Sequence, residues 1–177
     1  MNKTGHLFTL LVLLTIVTSS FAQTCDHPDY EPLVSLYQAT DGDNWTTSWD
    51  LSDCDVCSYF GITCDESRRV TRIDLDGNNL TGFIPSEIGE IENLEDLFLK
   101  GNNLSGTIPS NIGRLINLTA LQLTSNQLSG PIPSEIGNLI QLADLRFDNN
   151  ALSGTIPESL GNLKKIIFLS LSRNDLT

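Results

Sequence analysis

The chain has 177 residues, 22 acidic against 10 basic, and a formal charge of −12. That length fits one ordinary domain or a capped repeat array, and 40% apolar with 18% charged residues is not the composition of a disordered polyelectrolyte. The acidity argues against nucleic acid or an anionic membrane surface as partner, because phosphate binding draws on clustered Lys and Arg; with two histidines in all, catalysis through several imidazoles is nearly excluded.

Residues 1–22 read as a secretory signal. Lys3 is the only charged side chain, an apolar run extends from Leu7 to Val17, and Ser20-Phe21-Ala22 fits a small-x-small cleavage site. The run is shorter than the roughly 20 residues that span a bilayer, so no stable membrane insertion is expected after cleavage. From Gln23 onward, nine basic residues face 22 acidic ones, a net charge of −13.

Residues 23–69 read as a terminal cap. Pro28 to Thr40 predicts a short helix with Leu33, Leu36 and Tyr37 on one side, ended by Asp41-Gly42. Phe60 to Cys64 predicts a strand, joined through Glu66-Ser67 to another near Val70, and Trp45 and Trp49 are expected to cover the first coil of the region beyond residue 70. Cys25, Cys54, Cys57 and Cys64 all fall in the cap. An even count in a secreted context predicts two disulfides, with three connectivities available; Cys57–Cys64 with Cys25–Cys54 is preferred. The competing reading is a metal site of Cys54, Cys57, Cys64 and His27, which an oxidising compartment disfavours. Asp41, Asp43, Asp50, Asp53 and Asp55 are clustered oxygen donors without the spacing of a calcium loop, so turn chemistry is their expected role. No cofactor is called for.

Residues 70–177 repeat. Val70, Leu94, Leu118, Leu142 and Ile166 start units 24 residues apart, the last incomplete. The second unit carries aliphatic groups at seven registered positions: Leu94, Leu97, Leu99, Leu104, Ile108, Ile112 and Leu115. One coil cannot bury seven such groups alone, whereas stacked coils, with strands about 4.8 Å apart, share one continuous core. Phe147 takes one of these positions in the fourth unit and should point inward. Asn78, Asn102, Asn126, Asn150 and Asn174 recur where backbone groups at a sharp turn need partners. Gly82, Gly106, Gly130 and Gly154 permit tight backbone, and Pro85, Pro109, Pro133 and Pro157 restrict φ on the return side.

The run from Leu104 to Leu115, LSGTIPSNIGRL, resembles the 24-residue plant-specific leucine-rich repeat of plant receptor-kinase ectodomains, polygalacturonase-inhibiting proteins and secreted bacterial proteins. The phrase ATDGDNW at 39–45 and the stretch Tyr59 to Cys64 resemble the cysteine-containing N-terminal cap of those proteins, ATDGDNW leaning toward the bacterial group. The resemblance implies an α/β solenoid: a right-handed superhelix with a parallel concave β-sheet and a helical cap. The chain stops inside a repeat at Leu176-Thr177, so further residues holding more repeats, an anchor or a sorting domain are expected beyond it.

In this pattern the side chains between the strand leucines line the concave face. They are Arg72, Asp74 and Asp76 in the first coil, then Asp96, Phe98 and Lys100, then Ala120, Gln122 and Thr124, then Asp144, Arg146 and Asp148. In the incomplete fifth coil they are Phe168, Ser170 and Ser172, with Phe168 expected to meet a following repeat. The core leaves these positions free to carry binding chemistry, and Phe98 with its polar surround has the composition of a binding centre. The expected function is that of a secreted recognition module for a protein, peptide or glycan. One alternative is a glycan-acting enzyme using Asp74, Asp76 and Asp96, but a wet, shallow face lacks the desolvation that raises a carboxyl pKa. Another is a polymer- or ice-contacting surface built on the hydroxyl column Thr81, Ser105, Ser129, Ser153 and Thr177, for which turn hydrogen bonding is the preferred account. Asn44, Asn79, Asn103 and Asn117 stand in N-x-Ser/Thr sequons, relevant where the host glycosylates.

Overall fold

Spaced at 33, 36 and 37, three apolar side chains share one face of a helix. The computed structural model, which describes residues 25–177, has helix α1 at Tyr30–Ala39 with Leu33, Leu36 and Tyr37 buried. The signal reading at 1–22 lies outside the described residues. Helix α1 stops where Asp41 adopts a left-handed φ of 60°. Beneath it Trp45 and Trp49 are buried, with ring centroids 4.8 Å apart in an edge-to-face pair, and Tyr59 stacks on Trp49 at 5.1 Å. Both indoles keep a partner, Trp45 Nε1 donating to Thr40 O and Trp49 Nε1 to Phe60 O, each at 2.9 Å, so the aromatic area is buried without an orphaned N–H.

Disulfides join Cys25 to Cys54 and Cys57 to Cys64. Every thiol of the rival metal site is thereby consumed. The clustered aspartates serve turns and local pairs: Asp50 accepts from Ser52 N, Asp53 from Asp55 N and Asp55 from Cys57 N, and Asp55 also pairs with Arg68.

Each 24-residue unit lays down two short strands and a 3₁₀ turn. Cap strand β1 (Ile62–Cys64) pairs antiparallel with β2 (Val70–Asp74). Beyond β2 the same sheet adds β4 (Asp96–Phe98), β6 (Ala120–Gln122), β8 (Asp144–Arg146) and β10 (Phe168–Ser170), all parallel. A second sheet runs through β3 (Thr81–Phe83), β5 (Asn103–Gly106), β7 (Gln127–Gly130), β9 (Ala151–Gly154) and β11 (Asp175–Leu176). The 3₁₀ turns at Ser86–Glu90, Ser110–Arg114, Ser134–Asn138 and Glu158–Asn162 close each coil. Between them lies one dry core, with Leu97, Leu121, Leu145 and Phe147 at 0% exposure.

The asparagine column bonds across coils. Asn102 Oδ1 accepts from Leu80 N of the preceding coil at 3.0 Å, while its Nδ2 donates to Leu75 O and Leu99 O at 2.8 and 2.9 Å. Asn126, Asn150 and Asn174 repeat the pattern. Asn78 does the same job against the cap, exchanging bonds with the backbone of Thr47. Burying a backbone group unpaired costs about 1–3 kcal/mol, which is why one amide side chain recurs at this place.

Gly106, Gly130 and Gly154 sit at φ of +74° to +78°, a left-handed region that glycine enters freely. A different column is tighter: a Cβ on Gly89 would lie 2.3 Å from Asn111 O, and one on Gly113 2.5 Å from Glu135 O. Successive 3₁₀ turns therefore touch through backbone, at a spacing that any side chain would break.

Candidate binding face

A strand with one side in the core must turn its alternate residues to the opposite side. Strand register therefore decides which of the outward residues become neighbours. One row runs Arg72, Asp96, Ala120, Asp144, Phe168; the next runs Asp74, Phe98, Gln122, Arg146, Ser170. Asp76, Lys100, Thr124 and Asp148 lie just past the strand ends.

The rows fall into two charged clusters separated by a neutral coil. In the first, Arg72 donates to Asp74 Oδ2 at 2.8 Å and to Asp96 Oδ2 at 3.1 Å, and its guanidinium lies 4.4 Å from the centre of the Phe98 ring. Burial works against the Arg72 charge, but the bonds to Asp74 and Asp96 outweigh it and hold the group protonated above its ordinary range. Lys100 Nζ reaches Asp76 at 3.1 Å. In the second cluster, Arg146 Nε donates to Asp144 Oδ1 at 2.7 Å and the guanidinium stands 5.1 Å from the Phe168 ring centre. Its pKa is likewise raised, first by the hydrogen bond to Asp144. Between the clusters, Gln122 Nε2 donates to Asp144 Oδ2 at 2.8 Å, and Thr124 donates to Asp148 at 3.0 Å.

These pairs are partly exposed, so each contributes little stability. Their physical effect is orientation, since an arginine clamped by carboxylates and seated on an aromatic face has few rotamers left. The carboxylates of Asp74 and Asp96 are taken up by Arg72 and that of Asp76 by Lys100, an arrangement suited to holding a surface in one shape.

Two residues on this side come from the cap and were not singled out in the sequence. Thr63 stands opposite Arg72 across the antiparallel β1–β2 pair, and exposed Phe60 rims a hollow of about 380 Å³ with Thr63, Arg72, Asp74 and Asp76. Strand alternation from Phe60 to Cys64 was the available signal for Thr63; that the strand joins the concave sheet depends on the hairpin. A second hollow, about 580 Å³, lies away from this face between the cap and the first two 3₁₀ turns, beside Arg69, Glu90, Glu92 and Arg114. The hydroxyl column works within the scaffold, Ser105 Oγ donating to Gly82 O at 3.0 Å and Ser129 Oγ to Gly106 O at 3.4 Å.

Models of the leucine-rich repeat match residues 68–128 and 141–163. A chain in the crystal structure of the BIR3–SERK2 complex from Arabidopsis thaliana superposes with a TM-score of 0.77 at 34% identity, over 84% of this chain and 83% of that one. The chain belongs to the leucine-rich repeat family. Leucine-rich repeat protein 1 of Arabidopsis thaliana is 42% identical over 97 residues, 54% of this chain and 44% of that protein. PEPR1, a leucine-rich repeat receptor-like protein kinase of the same plant, is 36% identical over 102 residues, 54% of this chain and 9% of that protein. The PEPR1–AtPEP1 crystal structure superposes with a TM-score of 0.77 at 36% identity, covering 84% of this chain and 21% of that one. The chain thus spans less than half the length of these two curated relatives, and what it shares with them is the repeat scaffold. Among the described residues no helix is long and apolar enough to cross a membrane.

Proposed function

We propose that the protein is an extracellular binding module that holds a protein or peptide ligand on the face carried by β2, β4, β6, β8 and β10. Like the ectodomains it resembles, it works by recognition and not by catalysis. The observation that carries this reading is the pair of arginine-on-phenylalanine stacks, Arg72 on Phe98 and Arg146 on Phe168. Arg72 is held by Asp74 on its own strand and by Asp96 on the next, Arg146 by Asp144 on its own strand, and both stacks present apolar and charged surface together. Aromatic and arginine side chains dominate binding energy at protein interfaces, and rigid strands under them limit the entropy lost when a ligand docks. The cap extends the surface through Phe60 and Thr63. Two disulfides and the signal-like leader are in keeping with an oxidising, extracellular setting.

The test is capture of ligands from the extracellular medium by the full secreted chain, with the Phe98→Ala/Arg146→Ala double variant alongside. Loss of specific partners from the variant, at unchanged melting temperature, supports the reading. Equal recovery by both forms overturns it.

A further inference from the structure

On the lateral edge where each 3₁₀ turn leads back toward the concave strands, one repeat position reads Glu92, Ile116, Ile140, Lys164 along four successive coils. The coils are stacked closely there. Asn117 Nδ2 donates to Glu92 O at 3.0 Å, and Lys165 Nζ bonds to Gln141. Ile116 and Ile140 are 58% and 56% exposed, although the residue just before each, Leu115 or Leu139, is fully buried. Two adjacent branched aliphatics thus form a small apolar stripe in water, with an acid at one end and a base at the other. Among the described residues, neither Glu92 nor Lys164 enters an ion pair within its own chain.

This order is self-complementary. We propose that the stripe is the contact surface of a homodimer in which a second copy lies antiparallel against the same edge. A two-fold axis in the contact plane, perpendicular to the solenoid and passing between the second and third coils, sets Ile116 against the partner copy's equivalent of Ile140 and Glu92 against that of Lys164. Both contacts then occur twice, as an isologous interface requires. The flanking positions agree: Arg114 meets Asn138, Glu90 meets Asn162, Asn93 meets Lys165 and Asn117 meets Gln141, so no like charges face one another. A two-fold axis parallel to the solenoid would instead bring Glu92 onto Glu92 and Lys164 onto Lys164, and charge rejects it. Four coils at about 4.8 Å make three spacings, a strip roughly 14 Å long, too small to supply the ~800 Å² per partner of a standard stable interface. The dimer is accordingly weak, forms as concentration rises, and leaves the concave face of both copies open.

Sedimentation equilibrium of the full chain with its disulfides intact, from micromolar to millimolar concentration, reads the dissociation constant directly. Ile140→Glu, at an exposed position, should weaken dimerisation ~100-fold by placing a charge in the apolar contact, and Glu92→Lys about tenfold by opposing Lys164 with a like charge. The swap Glu92→Lys/Lys164→Glu should restore association to within about threefold of the parent. Should Ile140→Glu lose its far-ultraviolet dichroism, Ile116→Ser replaces it. A chain that stays monomeric to millimolar concentration overturns the proposal and leaves the stripe to a different protein. So does a dimer indifferent to the isoleucine substitutions, or one that the charge swap fails to recover.

Discussion

The cap and the coils solve the same problem, closing a hydrophobic core, by opposite means. In the coils each device occurs several times: an asparagine at each turn, a glycine where 3₁₀ turns touch, a leucine or isoleucine at the centre of each strand on the concave sheet. In the cap each device occurs once. Asp29 is fully buried, receives two bonds from Arg69 at 2.8 and 3.1 Å, and accepts from Val70 N at 2.9 Å, so a single carboxylate ties the start of α1 to the first strand of the repeats. The Trp45–Trp49–Tyr59 stack and both disulfides are equally singular. Repetition spreads stability over nearest-neighbour terms, whereas the cap concentrates it in contacts with no second copy.

That contrast can be broken most directly at Asp29. Asp29→Ala leaves Arg69 and the Val70 N–H without their acceptor, and an expected loss of about 3–5 kcal/mol would appear as a lower urea midpoint. A loss below about 1 kcal/mol would mean that the cap is latched elsewhere. Asn126→Ala, inside the coils, removes the acceptor of Leu104 N and the donor to Leu99 O, for a cost of about 2 kcal/mol. Asn174, at the last coil, should cost less when replaced in the same way, and equal losses would argue against position-dependent sharing.

Alkali provides a test confined to the cap. Burial, with smaller contributions from Tyr30 and Asp53, pushes the Tyr59 phenol from 10.0 up to about 12, and its hydroxyl donates to Asp53 O at 2.6 Å. Folding therefore favours the neutral phenol. That stabilisation is complete below pH 10 and is lost as pH rises through 12, an effect of about 2–3 kcal/mol. Melting temperatures across this window should fall more steeply for the parent than for Tyr59→Phe; parallel curves would remove Tyr59 as the cause. The smallest effect is expected at Ser105→Ala, where one exposed bond to Gly82 O is lost at about 0.5–1 kcal/mol, measurable as a shift of a few degrees in melting temperature.

Much of the scaffold was legible because it repeats. A leucine at 97, 121 and 145 can serve one core only if the units stack, and the 24-residue register carries the strand pairing with it. The concave residues were legible for the same reason, since Arg72 and Asp96 occupy the same place in successive coils. The cap was harder to read. Nothing local marks Asp29 as buried, because its partners Arg69 and Val70 lie 40 and 41 residues away. Phe60 enters the surface only because β1 folds back on β2.

Periodicity by itself determined the coil, its core and the outward set, since local spacing dictates which side chains share a face. Tertiary structure alone decided that Arg72 lies on Phe98 between two carboxylates, that Asp29 sits dry against Arg69, and that Ile116 and Ile140 remain in water. Those outcomes depend on distances between coils and across the cap, which a linear pattern does not encode.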